Sequence, residues 1–204
     1  MDSRGRSRPL AETDPLNQVT TYTYDSQGRV LTRTGPDGSV TTYTHGASGP
    51  LTITDKLTAT QDRTTTLTYN GQGKPATITD PRGKVTTLAY NSSGDLTSVS
   101  DPLTHTTSFG YDALGRRTTV TDALNHTTST AYDGRGRVSR ITNPDSTHSD
   151  FTYDLGGRRK SVSDPLSRTT SYIYDPYGRL DSVVDALNRV TRYGYDLMSN
   201  LTSL

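Results

Sequence analysis

The tyrosines of this chain keep a fixed step. Tyr69, Tyr90, Tyr111, Tyr132, Tyr153, Tyr174 and Tyr195 follow one another at intervals of 21 residues. Tyr24 opens the series upstream, and His45 holds the next slot, again 21 residues on. From His45 to Tyr69 the step is 24, and the three extra residues are expected in a longer turn within residues 55–63. A constant period of this length means that one small unit recurs and covers its apolar side with its neighbours.

Each unit contains two turn signals. Directly after the tyrosine comes Asp-x-x-Gly or Asn-x-x-Gly, as at Asp25 to Gly28, Asn70 to Gly73, Asn91 to Gly94, Asp112 to Gly115, Asp133 to Gly136, Asp154 to Gly157 and Asp175 to Gly178. Asp or Asn in first place accepts hydrogen bonds from backbone N–H groups further along the turn, and Gly in fourth place accepts a positive φ without steric cost. A second signal lies ten or eleven residues on, as in Asp101-Pro102-Leu103-Thr104, Asp164-Pro165-Leu166-Ser167 and Asp185-Ala186-Leu187-Asn188. Proline in second place pre-sets φ for a type I or II turn. The segments between turns are rich in Thr, Val and Tyr, which suit strands, and show no helical period. The expected fold is all-β: tandem 21-residue β-hairpin repeats forming a long antiparallel sheet, curved by strand twist into a spiral or shell.

Period-two spacing assigns faces. The signature tyrosine and the residue two before it (Tyr22, Tyr43, Leu67, Leu88, Phe109, Phe151, Tyr172 and Tyr193 among them) share one face. Ile78, Val99, Val120, Ile141, Val162 and Val183 add an aliphatic stripe from the outgoing strands. Stacked units are expected to bury the two stripes together, with the tyrosine hydroxyls at the wet rim.

Composition narrows the function classes. Hydrophobic residues are 29%, with 18 glycines besides. That is below the roughly 45–50% apolar share usual for a globular domain, so burial per residue is modest. The net charge of +1 gives no field to attract nucleic acid or an anionic membrane. There is no cysteine, hence no disulfide and no thiolate metal site, and no apolar run long enough for a membrane helix. The first fifteen residues lack the apolar core of a signal peptide.

Candidate chemistry is weighed against turn-making. The recurring aspartates could be acids, yet Asn70 and Asn91 replace them without disturbing the register, so they read as turn holders. The turns lack the ligand ladder of a calcium loop. His105 and His126 share a column with Lys84, Arg168 and Arg189 and read as solvated positions past a turn, not a metal pair. The column Arg29, Lys74, Arg116, Arg137, Arg158 and Arg179 reads as ion pairing with the turn aspartates, or alternatively as a ladder for an anionic glycan or a partner. No catalytic residue, cofactor site or metal site is assigned.

The signature Tyr24-Asp25-x-x-Gly28-Arg29, repeated at Tyr111-Asp112-x-x-Gly115-Arg116, Tyr132-Asp133-x-x-Gly136-Arg137, Tyr153-Asp154-x-x-Gly157-Arg158 and Tyr174-Asp175-x-x-Gly178-Arg179, resembles the YD or RHS repeat. Variants are Tyr69 with Gly73, Tyr90 with Gly94, and Tyr195-Asp196, which has lost its Gly-Arg. The resemblance covers residues 10–204, read as about nine repeats with the last incomplete, after a tail at 1–9. Bacterial Rhs polymorphic toxins, the C component of insecticidal toxin complexes, wall-associated proteins and teneurins carry such repeats. The resemblance implies a sheet that spirals into a hollow shell, which in the toxins encloses a C-terminal toxic domain.

The expected function is therefore a non-catalytic segment of a shell that encapsulates or presents a toxin or surface domain. The alternative is a carbohydrate-binding adhesion module. Expected partners are flanking repeats, an enclosed toxin domain or glycans, with no nucleic acid and no membrane insertion. Open sheet edges invite self-association. The expected location is secreted or at the cell surface in the context of a parent protein, the chain reading either as a fragment of a shell or as a short stand-alone reading frame.

Overall fold

The computed structural model describes residues 8–58 and 61–203. All twenty elements are strands, and no helix occurs among the described residues. Eighteen strands are assigned to one antiparallel sheet, while the last two form a separate two-stranded ladder. The chain divides after Thr107 into two compact units.

The first unit contains β1 (Ala11–Thr13), β2 (Val19–Tyr24), β3 (Val30–Thr34), β4 (Val40–His45), β5 (Pro50–Thr58), β6 (Gln61–Tyr69), β7 (Pro75–Thr79), β8 (Val85–Tyr90) and β9 (Leu96–Ser100). Each pairs antiparallel with the next in sequence. Of the expected long turn within residues 55–63, the described residues 55–58 and 61–63 are strand. Instead β5 and β6 run nine residues each, with Asp55 opposite Arg63 and Lys56 opposite Asp62. The extra residues join the ladder because backbone groups paired across a hairpin are better satisfied than those of a loose loop.

The second unit begins within β10 (Thr106–Tyr111) and continues through β11 (Arg117–Thr121), β12 (Thr127–Tyr132), β13 (Val138–Thr142), β14 (His148–Tyr153), β15 (Arg159–Ser163), β16 (Thr169–Tyr174) and β17 (Leu180–Val184). Here too every register joins neighbours in sequence. One returning strand is interrupted at Tyr193, giving β18 (Val190–Arg192) against β17 and β19 (Gly194–Tyr195) against β20 (Leu201–Ser203).

The turns opened by Asp or Asn share one geometry. The Gly28 N–H donates to the Asp25 carbonyl at 2.8 Å and the Asp25 N–H to the Arg29 carbonyl at 2.9 Å. Gly28 has φ +72°, while the residue before it stays at negative φ. This is a type I turn followed by a left-handed residue, the three-residue hairpin loop with a bulge, and the register shifts between Thr23 and Tyr24 accordingly. The second turns do the same with Asn17, Asn125 and Asn188 in the left-handed place, and also with Thr104 at φ +68°.

Burial departs from expectation. Among the described residues no apolar side chain is fully buried, and Ser182, at 2% exposure, is the one fully buried polar residue. The tyrosine and aliphatic stripes are half-buried, covered from the side by adjacent strands. Strand pairing of neighbours alone supplies no second layer to close over that face. The other face carries hydroxyl pairs across strands, including Thr23 with Thr32, Thr44 with Thr52 and Thr68 with Thr77 at 2.6 to 2.7 Å. These pairs explain why the residue between the two aromatic columns is small or β-branched.

Candidate functional site

The signature residues converge on a contact that repeats from unit to unit. The Tyr153 hydroxyl donates to the Val138 carbonyl at 2.9 Å, fifteen residues back in the preceding repeat. The same bond joins Tyr24 to Pro9, Tyr132 to Arg117, Tyr174 to Arg159 and Tyr195 to Leu180, at 2.7 to 3.0 Å. The hydroxyls therefore do not stand free at the rim. His45, which breaks the tyrosine series, donates from Nε2 to the Val30 carbonyl at 2.6 Å, again fifteen residues back. Tyr69 makes the same kind of bond to the Pro50 carbonyl, nineteen residues back.

Arginine bridges the same joint from the other side. Arg137 Nε donates to Asp133 Oδ2 at 2.7 Å within its own turn. Its guanidinium lies 4.4 Å from the centre of the Tyr153 ring in the next unit, and Nη1 reaches the Asp154 carbonyl at 3.3 Å. Arg116 over Tyr132, Arg158 over Tyr174 and Arg179 over Tyr195 repeat the stacking at 4.5 to 4.8 Å. Lys74 lies over Tyr90 at 5.6 Å, and Arg8, 21 residues before Arg29, lies over Tyr24 at 5.9 Å. A cation over an aromatic face is attractive, and a planar guanidinium holds that position while keeping its in-plane donors. The like charges of the column are thus separated by aspartates and rings.

The aspartates hold turns. Asp133 Oδ1 accepts from the Arg135 and Arg137 N–H groups at 2.9 and 3.0 Å. The Arg137 guanidinium, then its backbone N–H, bring this carboxyl from an ordinary 3.8 down to about 2. The Asp25 carboxyl is lowered too, chiefly by the Arg29 N–H, and Asp101 by the His105 ring. In the second turns the partner four residues on varies: His105 Nδ1 to Asp101 at 2.9 Å, His126 to Asp122 at 3.0 Å, and Arg168 and Arg189 to Asp164 and Asp185 at 2.6 Å. The two histidines are solvated, as the sequence indicates, and also belong to turn pairs.

Some roles escape the signature. In the turns opened by Gly35 and Asn143, an Asp in third place takes over: Asp37 accepts from Ser39, and Asp145 from Thr147, each at 2.6 Å from the hydroxyl. Asp95 stands where other units have Arg, and Asn91 Nδ2 donates to it at 3.1 Å, so the pair reverses donor and acceptor. The bidentate pair of Arg140 with Asp150, 2.6 and 2.9 Å, crosses two strands and has no repeat signal.

Carboxylates held well below neutrality and fixed by N–H donors cannot trade protons near pH 7. Among the described residues no cluster of three or more His, Asp or Glu could hold a metal. A shallow groove of about 420 Å³ lies between two second turns and is lined by Val162, Asp164, Arg168, Asp185, Leu187 and Arg189. It contains two copies of the same Asp–Arg pair rather than a distinct constellation of acid, base and nucleophile.

Comparison with known proteins places these contacts. The profile of the teneurin YD-shell family matches residues 2–165, and that of the RHS repeat matches residues 174–204. Among solved structures, a crystal structure of TcdB2–TccC3–TEV aligns over 95% of this chain at a TM-score of 0.76 and 21% identity. The Tc holotoxin pore of Photorhabdus luminescens with a mutated TccC3 aligns over 95% at a TM-score of 0.75 and 21% identity. Such identities establish likeness of fold. The chain spans only 12% and 11% of those chains. None of the curated proteins matches the chain.

Proposed function

Because the chain belongs to the teneurin YD-shell family, we propose that it is a non-catalytic wall segment of a larger shell, exported within its parent protein and enclosing or presenting a further domain. The observation that carries this reading is the joint between repeats. Its tyrosine hydroxyl and guanidinium tie one hairpin to the next, and the turn carboxylate fixes that guanidinium in place. A wall needs such identical, self-propagating joints, and stability then adds up from nearest-neighbour contacts. Catalysis needs a unique arrangement, and repetition argues against one. The solved neighbours are toxin-complex assemblies, which fits a partner enclosed by the shell.

Glycan binding, the alternative expectation, has less support. The first-turn arginines and the tyrosine rings that would offer a ligand ladder are stacked on each other. A glycan array that stays silent for neutral and sulfated sugars ends that alternative.

The test of the wall reading is protease protection. The chain is produced together with the reading frame that continues it and is treated with a broad-specificity protease. The downstream domain is expected to survive until the repeats are unfolded. Digestion of that domain at the rate of the free domain would refute enclosure.

A further inference from the structure

The unit from Ser108 leaves apolar side chains at its turn tips on both turn edges. Along the first-turn edge, successive repeats present Leu114, Arg135, Leu155 and Tyr177, Leu155 from the second place of its turn and the others from the third, the apolar ones 77 to 89% exposed. Along the second-turn edge they present Leu124, Asp145, Leu166 and Leu187, the apolar ones 72 to 75% exposed. A single exposed leucine means little, but contiguous apolar surface marks an interaction site. These tips recur every two strands, about 9.5 Å apart. Each row has one charge, in the same place of the order, and the two charges are opposite.

We propose that the first-turn edge of one copy docks along the second-turn edge of a second copy of this chain, in the same direction. Shifting one copy by a single strand, about 4.8 Å, brings the rows into phase. Leu114 then meets Leu124, and Arg135 meets Asp145. Leu155 meets Leu166, and Tyr177 meets Leu187. Both charged groups have capacity for this. Arg135 donates from Nη1 to the Leu155 carbonyl at 2.8 Å, and Asp145 accepts from Thr147 on Oδ1, which leaves the other guanidinium nitrogens and Oδ2 for a partner. The two edges differ, so the contact is heterologous and stacks copies side by side in open series. Four turn contacts bury less than a standard interface, so association is weak and concentration-dependent. The inference goes beyond the wall reading: protease protection decides enclosure, and lateral association decides this surface.

The test is sedimentation velocity on the whole chain, with circular dichroism to confirm an unchanged fold. The wild-type chain is expected to associate at high micromolar concentration and dissociate on dilution. Arg135→Glu and Asp145→Lys are each expected to weaken association by about tenfold or more, because like charges then face each other. Mixing the two variants restores it, since Glu then meets Lys across copies. Leu166→Ser with Leu187→Ser abolishes association, and no mixture rescues it. Should Asp145→Lys fail to fold, Asp145→Asn, which keeps an oxygen for Thr147, is expected to give a smaller weakening. A wild-type chain that stays monomeric, charge variants that associate like wild type, or a mixture without recovery would each overturn the proposal. Association through open strand edges would show as the second of these.

Discussion

Replacing tyrosine by phenylalanine at three successive joints isolates the hydroxyl latch. Tyr132→Phe, Tyr153→Phe and Tyr174→Phe keep each ring under its arginine but remove the donors to Arg117, Val138 and Arg159. A net intramolecular hydrogen bond contributes about 0.5–1.5 kcal/mol. The Tyr153 bond is partly buried and belongs near the middle of that range, while the other two are exposed and belong near its foot. The triple variant should therefore lose about 2 kcal/mol. At about 2–4 °C per kcal/mol for a chain of this size, the melting temperature falls by about 4–8 °C. Urea titration followed by far-ultraviolet circular dichroism reads the loss, with an unchanged m-value showing that the same surface unfolds. Tyr172→Phe serves as the control, since among the described residues its hydroxyl makes no hydrogen bond, and it should leave stability unchanged. A triple variant as stable as wild type, or a Tyr172 variant that loses as much, would refute the latch.

Other consequences follow from the turns. His45→Tyr should keep the joint to Val30 and be tolerated, whereas His45→Phe should melt earlier in a thermal scan. Gly178→Ala should destabilise by at least about 1 kcal/mol, because φ is +86° and the added methyl meets Arg158. Gly134→Ala, with no positive φ and open space around it, should be neutral in the same assay. Thr104→Gly should stabilise by about 1 kcal/mol by relieving a β-branched residue at φ +68°. The turn carboxylates have folded values below their unfolded ones, so their contribution is present above the ordinary 3.8 and is lost as pH falls through the folded values, near 2 for Asp133. Melting temperature should drop over that acid window and stay level from pH 5 to 7.

Much of this fold is readable from spacing. The interval from Tyr111 to Tyr132 and the pair Asp112 and Gly115 place a strand, a turn and a returning strand, because turn chemistry and period-two alternation are local properties. What lies between repeats is not local. That the Tyr153 hydroxyl finds the Val138 carbonyl depends on how far one hairpin is offset from the next, and no residue type announces an offset. His45 looks like a lapse in the series until its ring is seen bonded to Val30. Residues 55–63 look like a loop because Asp and Arg are poor strand formers, yet Asp55 and Arg63 face each other across the ladder, where opposite charge offsets low propensity. Alternation shows which side chains share a face and not whether anything covers it, so the aromatic columns promise more burial than the fold provides.

Amide hydrogen exchange, resolved residue by residue along the whole chain, tests most directly whether a hairpin ladder with a 21-residue period underlies everything else. Slow-exchanging amides should fall in the strands and recur every 21 residues, with fast exchange at the second turn places Ala113, Gly134 and Leu155, whose N–H groups have no acceptor within the turn. Protection without that period, or slow exchange concentrated at those places, would contradict the account.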